Sequence, residues 1–426
     1  MEKIGPEARR EIQLRKFVTQ LEVLLDSNEF YRKKLAAAGV TSAGDISSFE
    51  DFQRLPVTTK QELAENQAAH GPYGTNVTFG LEKYTKIHQT SGTTGDPLRW
   101  LDTEESWNWW ARCWQAVYRG AGVTPLDRIF FAFSFGPFIG FWSAYEGARQ
   151  FGALAVPGGG MSSLQRLKAI LTNDITVLIS TPTYALHLGE VAAEEGIDIA
   201  NSNVRVTIHA GEPGASIPAT KKRIEEMWGA RCFDHAGATE VGAWGFECRE
   251  QDGLHVNESE FLTEIIDPKT GNPSDEGELV ITNLGRLGMP VIRYRTGDRV
   301  RLSEEPCRCG RAYQRLSGGV IGRVDDALIV RGVNVFPSAL ENLVRRIPQV
   351  GEFAIDVYRR DSLDDIEIRV EVNEGSEEDV VAAVVKELRM GLGIRIKVEA
   401  APFGTLPRFD LKARRVTDHR PNSPDE

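Results

Sequence analysis

Residues 7–25 place Leu14, Phe17, Val18, Leu21 and Leu25 at helical spacing among Arg, Lys and Glu. This pattern predicts an amphipathic helix with one core-facing stripe. Short apolar runs of β type then alternate with helical stretches, and those at 129–133, 176–180 and 204–208 each precede a turn marked by Gly or Pro. Strand–helix alternation of this kind predicts an α/β body with buried sheets. After Arg323 the texture changes. Residues 353–360 and 366–373 alternate apolar and polar side chains, as half-buried strands do. Ser376 with Asp379 resembles a capping box, opening a helix whose apolar face is Val380, Val381, Val384, Val385 and Leu388. Residues 394–398 read as a closing strand, and the tail 420–426 as disordered. The expectation is α/β. A large N-terminal domain of several subdomains, residues 1–322, has β-sheets flanked by helices, and a small α+β domain, 323–426, follows.

Composition narrows the class. The 426 residues are 41% hydrophobic, enough for at least one large core. Acidic residues number 61 against 50 basic ones, for a net charge of -11, so a basic face for nucleic acid is not expected. No opening segment has the form of a secretory signal, and no apolar stretch reaches the roughly 20 residues of a membrane helix. Five cysteines are an odd number and too few for a disulfide framework. Reduced thiols in the cytoplasm are the simpler reading. A soluble enzyme acting on a small molecule fits this balance.

The most informative segment is Thr90-Ser-Gly-Thr-Thr-Gly-Asp-Pro97. Its glycines let the backbone turn tightly and bring N–H groups to an anion, and its hydroxyls add donors. It lacks the Gly-Lys-[Ser/Thr] of the common P-loop. On residues alone it is either a phosphate cradle or a solvated turn. Further motifs follow it in order: Ala238-Thr239-Glu240, Tyr294-Arg-Thr-Gly-Asp298, Gly322-Arg323-Val-Asp325-Asp326, Arg331-Gly-Val-Asn-Val-Phe-Pro337, and Lys412 within Pro407-Arg-Phe-Asp-Leu-Lys-Ala-Arg-Arg415. This ordered set resembles the adenylate-forming superfamily, which includes acyl-CoA synthetases, luciferases and adenylation domains. The Gly-Val-Asn-Val-Phe-Pro wording, the short length and Gly211-Glu212-Pro213 look most like its phenylacetate–CoA ligase branch.

The resemblance implies a two-step ligase using ATP, Mg²⁺ and coenzyme A. A small carboxylic acid attacks the α-phosphate and expels pyrophosphate; a thiol then displaces AMP. Carried over by motif, Ser91, Gly92, Thr93, Thr94 and Gly95 would cradle the β/γ-phosphates. Thr239 would approach the α-phosphate and Glu240 would hold Mg²⁺, a cation that prefers oxygen ligands. Asp298 would take the ribose hydroxyls, supported by Arg323. Gly211, Glu212 and Pro213 would lie against adenine, as would the run Asp234, His235, Ala236 and Gly237. Lys412 would supply a movable positive charge during adenylation. Asp325 stands where the superfamily hinges, so the C-terminal domain is expected to be mobile. One departure is Ala236, where the superfamily commonly has an aromatic residue stacked on adenine. Either His235 substitutes, stacking is weaker, or the space enlarges the acid pocket.

Cys248, His255, Cys307 and Cys309 can satisfy tetrahedral zinc with three thiolates and one imidazole. Gly253 and Gly310 beside them allow tight turns. Similar sets occur in relatives of the phenylacetate ligase branch. The reading is structural zinc, against unliganded buried thiols. Cys113 and Cys232 read as core residues.

The run 134–142 resembles the acyl-pocket segment of aryl-CoA ligases, with Phe138 the best-placed aromatic and Phe135 and Trp142 behind it. Trp107, Trp109, Trp110 and Trp114, at helical spacing, read first as core. An aromatic-lined slot favours a flat, apolar acid. The acceptor is CoA in the leading reading. A carrier-protein thiol, an amine, or AMP activation of a non-carboxylate are the alternatives. A homodimer is suggested only by the resemblance. A non-catalytic descendant is disfavoured because Glu240, Asp298 and Lys412 are all present.

Overall fold

A computed structural model describes residues 1–90, 97–136, 139–324, 328–330, 333–360, 363–409 and 413–420. The first helix, Pro6–Ser27, starts with proline where no helical N–H is needed, and buries Phe17, Leu21 and Leu24. Leu14, Val18 and Leu25 pack beside them, partly buried. The stripe is wider than its apolar residues alone predict, because Arg9, Gln13 and Gln20 are buried too. They reach partners across the fold: Arg9 pairs with Glu258 at 3.0 Å, and Gln13 donates to the Glu258 and Phe261 carbonyls.

A hairpin follows, β1 (Tyr84–Gln89) and β2 (Arg99–Thr103), paired antiparallel. The chain then builds a parallel half-sheet from β3 (Arg128–Phe131), β4 (Leu154–Pro157), β5 (Val177–Ser180), β6 (Val206–His209) and β7 (Arg231–Ala238). Every residue of β5 and β6 is buried, as expected when helices cover both faces. Alternation divides the faces: Ile129, Phe131, Val177, Ile179, Val206 and Ile208 enter one core, while Phe130 and Leu178 enter another. The first core also takes the 104–120 helix with Trp107, Trp109, Trp110, Cys113 and Trp114; Cys232 belongs to the second. Both cysteines and all four tryptophans are core residues, as the sequence predicts.

The sheet continues antiparallel through β8 (Gly242–Glu247) and β9 (Leu254–Val256). A second sheet is opened by β10 (Phe261–Ile266), β11 (Glu276–Asn283) and β12 (Tyr294–Arg301). Then β13 (Arg315–Leu316) returns to lie beside β9, and β14 (Gly322–Arg323) completes the second sheet beside β12.

The smaller C-terminal part has a core of its own, running in sequence from Leu328 to Val398. Its sheet is built from β15 (Leu328–Val330), β16 (Val333–Val335), β17 (Val350–Arg360), β18 (Leu363–Val372), β19 (Lys397–Ala401) and β20 (Val416–Asp418). Helix Glu377–Leu392 has Ser376 as its N-cap, accepting from the Asp379 amide, and buries Val380, Val384 and Leu388. Only this forward half of the capping box forms. Among the described residues, no helix is long and apolar enough to cross a membrane.

Candidate active site

The carboxyl ends of β5, β6 and β7 lie level, because Ser180 registers with His209 and His209 with Asp234. Beyond such an edge a parallel sheet leaves room for ligand. The segment holding Gly211, Glu212 and Pro213 leaves β6 there, and β7 runs on through Asp234–Gly237 to the turn of Thr239 and Glu240. From β3 the chain extends to Phe133 and Phe135.

The 239–240 turn is gripped from below by Arg286. Its guanidinium donates to the Thr239 carbonyl at 2.6 Å and the Glu240 carbonyl at 3.3 Å. Its other edge donates to both oxygens of Asp102 at 2.7 Å, and Trp100 and Trp110 lie over it at 5.0 and 5.3 Å. Asp102 and Trp100 belong to β2, so the hairpin and the turn are tied by one side chain. The hairpin's connection carries Ser91, Gly92, Thr93, Thr94 and Gly95, which lie outside the described residues. Its flanks are fastened together: the Thr90 amide donates to the Leu98 carbonyl, and the Leu98 amide to Thr90 Oγ1, both at 3.0 Å.

Asp298 on β12 faces Arg323 on β14, with Nη1 3.5 Å from the carboxylate. Arg323 also donates to the Thr296 carbonyl at 3.1 Å. Gly297, at φ 75°, stands in the left-handed region that favours glycine. Burial pushes the Tyr294 phenol well above its ordinary range; the charges of Glu240 and Asp298 push the same way, and Arg323 opposes them.

His235 does not offer its ring to that space. Nδ1 lies 2.6 Å from the Gly245 carbonyl oxygen and the ring packs on Trp114 at 4.3 Å. Burial pulls its pKa down to about 4, so the imidazole is a neutral core group. The strand's alternation sends Ala236 the opposite way, half-exposed. Of the three outcomes expected for the Ala236 departure, substitution by His235 is thus removed. Asp234 is buried, and burial followed by the nearby Glu247 charge pushes its carboxyl up to about 7. Glu247 accepts from the Asp234 amide at 2.9 Å and pairs with Lys221 at 2.6 Å.

The Glu212 carboxylate accepts from the Thr183 amide at 2.9 Å and the Ala413 amide at 2.6 Å. Lys412 and Asp325 lie outside the described residues. So does Phe138. The remaining aromatic wall is described: Phe135 lies 4.4 Å from Trp142, 4.9 Å from Phe133 and 5.8 Å from Tyr145. Trp142 Nε1 donates to the Gly136 carbonyl at 2.9 Å, and Phe141 stacks on Phe133 at 3.9 Å. Sequence reasoning missed Phe133, Phe141 and Tyr145, although Tyr145 follows Trp142 at one helical turn.

Apart from this edge, the Cys248 and His255 side chains meet Cys307 and Cys309. Tetrahedral zinc, with bonds of about 2.3 Å to sulfur and about 2.0 Å to nitrogen, sets its donors about 3.5–3.8 Å apart. Here Cys248 and Cys307 sulfurs are 3.6 Å apart, and Cys309 Sγ is 3.4 Å from His255 Nε2. All four donor atoms lie within 4.8 Å of one another, and none of the five cysteines is in a disulfide. Gly253 has φ 87°, and a Cβ there would strike the Leu316 carbonyl, so the β8–β9 turn closes only with glycine. The donor set fits zinc and leaves no open position for catalysis.

Comparison with known proteins agrees with this geometry. Residues 332–420 match the family of the AMP-binding enzyme C-terminal domain. The phenylacetate-coenzyme A ligase of Escherichia coli (strain K12) is 34% identical over 424 residues, covering 96% of this chain and 94% of the relative. Solved structures of a 2-hydroxyisobutyryl-CoA ligase are similar too. The postadenylation state with 2-HIB-AMP gives a TM-score of 0.93 at 31% identity, covering 98% of this chain and 91% of that one. The thioesterification state with 2-HIB-AMP and CoA gives 0.74 at 32% identity, over 98% and 91%.

Proposed function

The chain belongs to the phenylacetate–CoA ligase-like branch of the adenylate-forming superfamily, AMP-forming ligases that join an acid to CoA through an acyl-AMP, and we propose that its acid is small and aromatic. The observation that carries the choice of acid is the wall of Phe133, Phe135, Trp142 and Tyr145 at the end of β3. A flat ring can lie against the exposed side of such a wall and gain from edge and stacking contacts.

In this reading the acid's carboxylate attacks the α-phosphate and pyrophosphate departs; the CoA thiol then attacks the acyl carbon and AMP departs. Ser91 to Gly95 bind the β/γ-phosphates, and Thr239 the α-phosphate. Glu240 would hold Mg²⁺, which neutralises phosphate charge. Arg286, by fixing the carbonyls of 239 and 240, keeps both side chains aimed at the phosphates. Asp298 takes the ribose hydroxyls beside Arg323. Gly211, Glu212 and Pro213 line the adenine with backbone, which leaves the Glu212 carboxylate for other bonds. Lys412 brings its ammonium to the bridging oxygen. Cys248, His255, Cys307 and Cys309 hold a structural zinc.

We further assign residues 1–322 and 323–426 to two domains, with Asp325 as the hinge. The TM-scores of 0.93 and 0.74 support a domain arrangement here of the adenylation kind. The likeness to the 2-hydroxyisobutyryl-CoA ligase favours a second reading, a small branched hydroxy acid. ATP–pyrophosphate exchange across both acid classes, followed by product mass with CoA, an amine or a carrier protein, separates them. Exchange confined to branched aliphatic acids would sink the aromatic reading.

A further inference from the structure

We infer that Glu212 is the latch between the two domains, a positioning residue that selects the arrangement used for adenylation. The inference rests on the ligase reading and adds a residue role to it. The two carboxylate oxygens are divided between domains. Oε1 accepts from the Thr183 amide at 2.9 Å, in the first turn of helix Pro182–Glu194. That amide lacks a helical partner, and the helix dipole favours a negative charge there. This bond lies wholly within the larger domain and stays with Glu212 through any rotation. Oε2 accepts from the Ala413 amide of the smaller domain at 2.6 Å, and that bond exists only while the domains stand as they do here.

Ala413 can transmit the hold because its surroundings are fastened to the smaller domain on both sides. Upstream, Glu371 on β18 accepts from the Leu406 amide at 2.6 Å and from Arg408 at 2.7 Å. Downstream, Arg415 grips both oxygens of Glu352 on β17 at 2.7 and 3.1 Å. Other polar contacts cross between the domains: Thr220 to Glu341 at 3.2 Å, Arg415 to Thr183 at 3.4 Å, Arg408 to Glu190 at 3.8 Å, Arg223 to the Val350 carbonyl at 2.9 Å and, near the chain crossing, Ser338 to the Ile321 carbonyl at 2.6 Å; none of them reaches the segment beside Lys412 through a carboxylate of the larger domain accepting a backbone amide. A carboxylate accepting a buried amide is the strong class of hydrogen bond. Glu212 thus ties the larger domain to the residue next to Lys412, so the latch and the adenylating charge engage together.

The test changes each side of the bond. Glu212→Gln keeps the shape but sets an amide where two N–H groups converge, and Ala413→Pro removes the donor from the other side. Each variant is assayed for pyrophosphate exchange and, separately, for thioester formation from pre-formed acyl-AMP. Exchange is expected to fall about ten- to a hundred-fold further than thioester formation in both variants, the scale of one charge-assisted bond. The double variant should lose no more than either single one, as partners in one interaction do. Equal loss in both half-reactions, or additive losses, would overturn the latch. Amide hydrogen exchange adds a readout that needs no substrate: the peptide spanning 413–415 should exchange faster in Glu212→Gln. Unchanged protection there overturns the latch even if no acid is activated. An inactive wild type with a protected, Glu212-dependent peptide would instead count against the ligase reading alone.

Discussion

Asp102 and Arg286 form a two-pronged ion pair at 2.7 Å, with neither side chain touching solvent. Burial, the larger effect, pushes the Asp102 carboxyl above its ordinary range, and the charge and hydrogen bonds of Arg286 act against that rise. Breaking one half of a buried pair costs about 3–5 kcal/mol, because the other charge is left uncompensated. Asp102→Asn should therefore lower stability on that scale in chemical denaturation. Arg286→Lys keeps the charge but loses the planar fork that reaches Asp102 and two carbonyls at once. It should be milder in stability, and should raise KM for MgATP by loosening Thr239 and Glu240. An unchanged denaturation midpoint in Asp102→Asn would remove the pair from any structural role.

The Cys₃His cluster predicts metal. Protein purified without added metal should carry one equivalent of zinc, and less than about 0.2 equivalents would defeat the assignment. Cys309→Ser should lower zinc content and melting temperature together, since binding energy at such a site is folding energy. Relative to the stability loss, the exchange activity of the remaining folded fraction should be little changed, because a complete donor set leaves no open position for catalysis.

Local patterns made much of this legible. The helix at Glu377–Leu392 announces itself through Ser376 and four valines on one face, and β5 and β6 through short β-type runs before marked turns. The Cys₃His cluster is visible because Cys and His in such sets have few other uses. What escaped was distance and direction. Asp102 and Arg286 are 184 residues apart, and a lone arginine in 284–288 carries no periodic signal. The Glu212 carboxylate escaped as well, since its motif marks the backbone beside a base and says nothing of where the side chain points. For His235 the signal was present: strand alternation sends 235 and 236 to opposite faces, so one cannot stand in for the other.

If Asp325 is the hinge, restricting its backbone should separate the half-reactions in the sense opposite to Glu212→Gln. Asp325→Pro fixes φ near one value and denies the rotation that clears Lys412 for a thiol. Thioester formation should fall at least about ten-fold more than pyrophosphate exchange. Equal loss of both would place the hinge elsewhere.

The smaller domain should also be acid-sensitive through Glu352. Burial by itself would push this carboxyl up, but the charges of Arg345 and Arg415, with the Arg415 and Phe353 hydrogen bonds, hold it at about 2. Both guanidiniums lie over Phe353 at 5.1 Å, so the cluster is packed as well as paired. A carboxyl whose folded pKa is depressed stabilises the fold fully above its ordinary value, near 4.5, and loses that contribution as pH falls toward about 2. Wild type should therefore lose stability between pH 5 and 3, pH values set on the ordinary carboxyl range of about 4. Glu352→Gln should already be less stable at neutral pH, by about 3 kcal/mol for the two arginines left facing each other. Its stability should also fall less steeply over the acid window, since it has no proton to take up there. Other depressed carboxyls add to the slope of both proteins, so the decisive quantity is the difference between them. Parallel curves for variant and wild type would mean that the Glu352 carboxyl has the same pKa folded and unfolded, and that the two arginines do not hold it down.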